Sequence, residues 1–207
     1  GDSGTNGGNL SSGAGAGATA WMLWTTNGDF CNDSSEIWAT RMLDGALQTG
    51  QSVSIDFDNG TIRTGKYVAA EFLYVDSEGL TNGLAAQLYF QGGSTNYTLA
   101  DSTTRTTTIP YSADGGTVRL RITGAGTYQL TYRGTTYSGT LGASAPTINA
   151  IRVVNKGAND ESRYAGDEGN LYFNNLVVGC VDVDGDGSCA DVDCNDSNAA
   201  DRKSTRL

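Results

Sequence analysis

The chain has 207 residues, of which 38% are hydrophobic, with 29 Gly, 2 Pro, no His and a net charge of −10. That length suits one domain with a sizeable core, and the Gly-rich, Pro-poor balance favours short strands joined by turns. The charge repels the phosphate backbone and argues against a nucleic-acid partner; the missing His removes Ser–His–Asp and Cys–His catalysis and the usual zinc or copper sites.

In chain order, residues 1–17 are rich in Gly, Ser and Asn and read as a flexible lead-in. The run A-W-M-L-W-T opens a first strand, with Trp21 and Trp24 on opposite faces by period-two counting. Residues 34–47 fit either a short helix ended at Gly45 or an irregular strand around Trp38. From Ser52, Val53, Ile55 and Phe57 alternate with Ser54 and Asp56 up to an expected turn at Asp58-Asn59-Gly60. Lys66–Val75 sets Val68, Ala70, Phe72 and Tyr74 on one face. Strands follow over 84–90, 96–100 and 106–111, and Pro110 marks the last as an edge or an end. Val118, Leu120 and Ile122 face inward while Arg119 and Arg121 face out; Gly124-Ala125-Gly126 then turns the chain into Tyr128, Leu130 and Tyr132. Stretches 135–141, 148–155 and 170–178 complete about ten strands, which predicts an all-β antiparallel sandwich. No apolar run approaches the length of a membrane span.

Beyond Gly179 the pattern changes. Residues 181–200 carry six Asp and no base, a concentration that invites cations. Asp182, Asp184 and Asp186 fall at positions 1, 3 and 5 of a twelve-residue loop, with Gly187 at 6, Ser188 at 7 and Asp193 at 12. Calcium takes six to eight oxygens, and this spacing curls alternate carboxylates around one point, with Ser188 giving its backbone carbonyl. Gly at position 6 makes the sharp turn without Cβ strain. Asp193 is shorter than the usual closing Glu, which weakens the site. The segment resembles the D-x-D-G-D-G calcium loops of thrombospondin type 3 repeats and of bacterial secreted proteins. The step Asp193-Cys194-Asn195-Asp196 extends that likeness, so Asp191, Asn195 and Asp196 are expected at a second, shared or incomplete site.

Three of the four Cys crowd into 180–194 at spacings of nine and five. Zinc would want C-x-x-C pairs, so disulfides in an oxidising compartment are expected, with Cys189–Cys194 and Cys31–Cys180 the first pairing to test among three. The chain opens at Gly1 without Met, and the expectation is a start that is missing or removed. Residues 201–207 break the acidic composition and resemble a translated sequencing adapter. They are read as a non-native tail on a fragment of a longer, multi-domain chain.

The segments A-W-M-L-W, G-A-L-Q-T-G-Q-S-V-S-I-D-F-D-N-G, Y-F-Q-G-G and L-Y-F-N-N-L-V-V-G resemble concanavalin A-like (laminin G-like) jelly rolls of secreted bacterial proteins, from Ala18 to Gly179. That class includes lectins, adhesion modules and laminarinase-type glycoside hydrolases. The hydrolases carry E-x-D-x-E on one strand, and no such triplet occurs here. Glu71, in A-A-E-F-L-Y-V-D, comes nearest but has Leu73 and Val75 at i+2 and i+4. Most other acids, Asp58 among them, are expected at turns, facing water.

The sequence therefore predicts a secreted or cell-surface jelly roll (18–179) that is not an enzyme but binds a glycan or an extracellular protein. A connector (180–200) stiffened by Ca2+ follows it. The second reading is a carbohydrate-binding module of a polysaccharide-degrading protein, and the third a glycoside hydrolase. Candidate platforms for a sugar are Trp24, Trp38, Tyr97, Tyr111, Tyr137 and Tyr164, though most aromatics in a sandwich are core. Asn174-Asn175 is read as structural. Glycosylation triplets stand at Asn32, Asn59, Asn96 and Asn195, meaningful only in a eukaryotic secretory pathway.

Overall fold

The computed structural model describes residues 20–23, 36–60, 62–76, 78, 81–112, 114–157 and 170–179. All of their regular structure is strand: β1 (Trp21–Leu23), β2 (Glu36–Met42), β3 (Ser52–Asn59), β4 (Tyr67–Val75), β5 (Thr81–Gln91), β6 (Asn96–Ala100), β7 (Thr104–Pro110), β8 (Gly116–Gly124), β9 (Thr127–Tyr132), β10 (Thr135–Thr140), β11 (Ala150–Lys156) and β12 (Leu171–Gly179). They form two six-stranded antiparallel sheets. Sheet A has the order β1-β12-β3-β8-β9-β10, and sheet B the order β2-β11-β4-β5-β6-β7. This is the antiparallel sandwich that the alternation predicted.

The alternation is also what holds the sheets together. On β8, Val118, Leu120 and Ile122 are buried while Thr117, Arg119 and Arg121 are exposed. Sheet A contributes these residues with Val53, Ile55, Phe57 and Tyr128, Leu130, Tyr132; sheet B contributes Val68, Ala70, Phe72, Leu88, Phe90, Tyr97 and Leu99 to the same core. Each such side chain stabilises the fold by roughly 1.5–3 kcal/mol when fully buried. Pro110 ends β7, which is an edge strand, where a missing N–H costs no ladder bond.

One open choice is decided and one expectation is corrected. Residues 36–42 are a strand with Trp38 near its centre, not a short helix. Pairing with β11 on one side, from Lys156 opposite Glu36 to Ala150 opposite Met42, decides between the two options left open. Secondly, Asp58 is not a turn residue in water, and Asp56, expected on the strand face opposite Val53, Ile55 and Phe57, is buried with it. Both lie within β3 and are only 1% and 3% exposed. The Asp56 carboxylate is satisfied across strands: Thr117 Oγ1 donates to it at 2.6 Å and Asn175 Nδ2 at 2.8 Å. A buried charge persists only when bonded in this way. Asn175 takes φ 49° beside a register shift between Asn174 and Val177. Asn tolerates that left-handed geometry better than most residues, and Asn175 has the structural role expected of it.

The loop between β10 and β11 is pinned to β4 by one side chain. Asn149 Oδ1 accepts from Val75 N at 2.8 Å, and its Nδ2 donates to Val75 O at 2.7 Å. Asn149→Ala should cost about 1–3 kcal/mol, because both main-chain groups of Val75 lose their partner. That is a fall of several degrees in the thermal midpoint; an unchanged midpoint would show that water replaces the clamp without loss.

Candidate functional site

The outer face of sheet B carries the densest set of chemically capable side chains among the described residues. Period two turns Tyr67, Ala69 and Glu71 of β4 outward, because Val68, Ala70 and Phe72 are in the core. Register then builds rows across the strands. Glu36, Lys156, Tyr67 and Gln91 form one row; Trp38, Val154, Ala69 and Tyr89 a second; Thr40, Arg152, Glu71 and Gln87 a third. Between them lies an open trough of about 600 Å³, lined chiefly by Lys66, Tyr67, Gln87, Tyr89, Gln91 and Lys156.

Two aromatic rings and one ion pair shape the trough. Tyr67 and Tyr89 meet edge to face with centroids 5.9 Å apart. Lys156 Nζ lies 3.3 Å from Glu36 Oε2 and 5.6 Å from the centre of the Tyr67 ring. Burial, followed by the charge of Glu36, raises the Tyr67 pKa, and Lys156 only partly offsets this. Tyr67 is therefore a neutral hydrogen-bonding phenol across the physiological range. Trp38 is 54% exposed, separated from Tyr89 by the small side chains of Val154 and Ala69.

Glu71 is 4% exposed. Arg152 Nε donates to its Oε2 at 2.5 Å and Gln87 Nε2 to its Oε1 at 2.8 Å. Burial raises its pKa, against the opposing charge and hydrogen bond of Arg152. Each oxygen is thus engaged, and Glu71 acts on this face through the side chains it holds. The i+2 and i+4 positions of β4 hold no carboxylate, and the partners Glu71 does have, from β11 and β5, are a cation and an amide.

The other predicted platforms mostly belong elsewhere. Tyr97 is fully buried, Tyr111 is half-buried and stacked on Phe90 at 4.8 Å, and Tyr137 is half-buried with its hydroxyl accepting from Thr108 N at 2.6 Å. Of the described candidates only Trp38 is exposed. Asn59, of the first described glycosylation triplet, is buried and accepts from the Tyr97 hydroxyl at 2.7 Å, so no glycan can be attached there in the folded chain. Asn96 is half-buried and donates to Thr107 O at 2.8 Å. Trp24, Tyr164, Asn32, the four Cys and the whole predicted calcium set (Asp182, Asp184, Asp186, Ser188, Asp191, Asp193, Asn195, Asp196) lie outside the described residues. Tyr67, Tyr89, Gln87, Gln91, Arg152 and Lys156 were missed. The signal for three of them was present in the alternation Gln87-x-Tyr89-x-Gln91, where polar and aromatic residues share the face opposite Leu88 and Phe90.

No family model and no curated protein matches the chain. Solved structures do. A sialidase matches with a TM-score of 0.52 and 14% identity over 81% of this chain, though over only 16% of its own length. A family 7 alginate lyase in complex with product matches with a TM-score of 0.51 and 15% identity over 79% of this chain and 80% of its own. A toad ovary galectin in complex with thio-digalactose matches at a TM-score of 0.44, with 14% identity. The likeness to the sialidase and the alginate lyase establishes the jelly-roll sandwich fold.

One expectation is overturned at this point. The chain was read as not an enzyme, yet alginate lyases, which are enzymes, stand among the structures that share its fold. The missing E-x-D-x-E triplet removes one hydrolytic chemistry only, and a fold of this kind hosts catalysts as well as binding modules. No helix of the described residues is long and apolar enough to cross a membrane.

Proposed function

We propose that the outer face of sheet B is a glycan-recognition surface of an extracellular, polysaccharide-directed protein. The observation that carries this reading is the trough itself. It offers the rings of Tyr67 and Tyr89 next to the amides of Gln87 and Gln91, with Trp38 exposed on the same face. Aromatic rings take the apolar faces of a sugar, and side-chain amides read its hydroxyls as both donors and acceptors. The alginate lyase that shares the fold supports a polysaccharide as the class of ligand.

Affinity electrophoresis of the chain through gels containing different polysaccharides tests the reading, with each mixture also scored for chain shortening. At least one polysaccharide should retard the chain, and Tyr89→Ala should weaken that retardation about tenfold or more, as for a central aromatic contact. Retardation by none, or retardation indifferent to Tyr89→Ala, would remove the face from consideration. Shortened polysaccharide that disappears with the same substitution would assign catalysis to it.

The connector is assigned Ca2+ at Asp182, Asp184, Asp186, Ser188 and Asp193, with Asp191, Asn195 and Asp196 nearby in sequence. Its role is to neutralise six mutually repelling carboxylates and so set the sandwich at a fixed distance from whatever follows. Affinity in the range of extracellular modules, about 10⁻⁴–10⁻³ M, is expected by calorimetry. Absence of calcium heat at millimolar concentration removes this assignment and leaves the glycan face untouched.

A further inference from the structure

The geometry points to a carboxylated sugar, a uronic acid within a polysaccharide, as the ligand of the sheet B face, with Arg152 as the residue that reads its carboxylate. This inference rests on the reading of that face as a glycan surface. Its basis is the way Arg152 is held. Nε donates to Glu71, and that is the only hydrogen bond the Arg152 side chain makes among the described residues. Among the described residues the two terminal nitrogens of the guanidinium therefore have no protein partner, on a side chain that is 22% exposed.

Glu71 cannot turn to take that fork. Gln87 holds its other oxygen at 2.8 Å, and β4 and β11 set Glu71 and Arg152 directly opposite each other. The carboxylate behind thus fixes the guanidinium and leaves its outer edge for a ligand. A planar fork of N–H donors matches the two oxygens of a carboxylate, and Arg keeps its charge at every relevant pH.

Charge on the face agrees. Lys66, Arg152 and Lys156 stand against Glu36 and Glu71, three bases to two acids, on a chain whose net charge is −10. The neighbouring Asp101–Arg105 ion pair, beside Ala100 and Thr104 of the trough wall, adds no net charge. A neutral sugar would need the rings and amides alone and would leave the Arg152 fork idle. A uronate row along the sheet would use both, its ring against Tyr67 or Tyr89 and its carboxylate toward Arg152.

Calorimetry of the full chain with three oligosaccharides of equal length decides the matter: a polyuronate, the same oligomer with its carboxyls reduced to alcohols, and a sulfated neutral oligomer. The polyuronate should bind, and carboxyl reduction should weaken binding about tenfold or more, the worth of a charge-assisted pair. Arg152→Lys, which keeps a cation beside Glu71 but not the fork, should weaken polyuronate binding about tenfold and leave the reduced oligomer unaffected. Equal affinity for the native and reduced oligomers overturns the uronate inference while the glycan face stands. Preference for the sulfated oligomer overturns it likewise, as does polyuronate binding unchanged in Arg152→Lys. Binding of none of the three, with no retardation in any polysaccharide gel, removes the glycan face itself. Should Arg152→Lys fail to fold, the two oligomers on the unaltered chain still decide.

Discussion

Arg152→Ala should lower the unfolding free energy at neutral pH by about 3–5 kcal/mol, the cost of breaking a buried ion pair from one side. The substitution leaves the Glu71 carboxylate 4% exposed with Gln87 as its remaining hydrogen-bond donor. Burial already holds the Glu71 pKa above its ordinary value of 4.5 despite Arg152; without the guanidinium it must rise further. A carboxyl whose folded pKa lies above its unfolded one adds no penalty below the unfolded value, and its penalty grows as pH rises through the folded one. The variant should therefore regain stability relative to the parent as the solution is acidified towards pH 4.5. The double substitution Arg152→Ala with Glu71→Gln should recover most of the loss at neutral pH, since no charge remains to be stranded. The Lys156–Glu36 pair is the internal contrast. Its lysine side chain is 41% exposed, and an exposed pair contributes about 1 kcal/mol or less. Urea titrations at several pH values measure all three variants. A loss in Arg152→Ala that ignores both pH and the Glu71→Gln change would mean that water reaches Glu71 and the pair is not buried in solution.

Glu71 shows how far the sequence could be read. Its place on an outward face followed from the period of Val68, Ala70 and Phe72, which the core confirms. Its partners did not follow, because Arg152 and Gln87 are its neighbours only through the register of β11 and β5 against β4. Glu71 has no carboxylate at i+2 or i+4, as read from the strand. The cation and amide that hold it lie across the sheet, where a search along one strand does not reach. Asp56 repeats the lesson: alternation set it on the face opposite Val53, Ile55 and Phe57, while its burial and its partners Thr117 and Asn175 come from two adjoining strands. Aromatics divided by the same geometry. Tyr97 and Trp38 both sit in alternating strands, and only the facing sheet decides that one is core and the other exposed. Strand existence, by contrast, is local information. Every strand from β3 to β12 falls on a run whose alternation was legible, with ends shifted by a few residues. The reading of the chain as not an enzyme failed at another level, since the absence of one motif was taken for the absence of chemistry.

Tyr97→Ala should be as costly as the loss of Arg152 and differ from it in kind. Tyr97 is fully buried at the junction of the two sheets. Its ring lies 5.2 Å from Phe90 of its own sheet and 5.1 Å from Tyr132 of the other, and Tyr132 continues to Phe57 at 6.3 Å. Removing a buried aromatic side chain costs about 3–5 kcal/mol through lost transfer energy and the cavity left behind. The cost should show no relief on acidification, which separates it from the Arg152 variant. Tyr97→Phe isolates the hydroxyl, which donates to Asn59 Oδ1 at 2.7 Å and lies 3.4 Å from the Tyr132 hydroxyl. Leaving those groups unpaired should cost about 1–3 kcal/mol. At the alkaline end burial dominates. It raises the Tyr97 pKa well above the ordinary phenol value of 10 and pushes Tyr132 up to about 12. For a group with a raised folded pKa, stability is complete below the unfolded value and falls as pH rises through the folded one. The sandwich should hold its full stability below pH 10 and lose it towards pH 12, with Tyr97→Phe losing less over that interval because one buried phenol no longer ionises on unfolding. Thermal melts across this range, read beside the absorbance of the phenolate, measure both effects. Phenolate appearing at its ordinary pH without unfolding would show that solvent enters between the sheets at Tyr97.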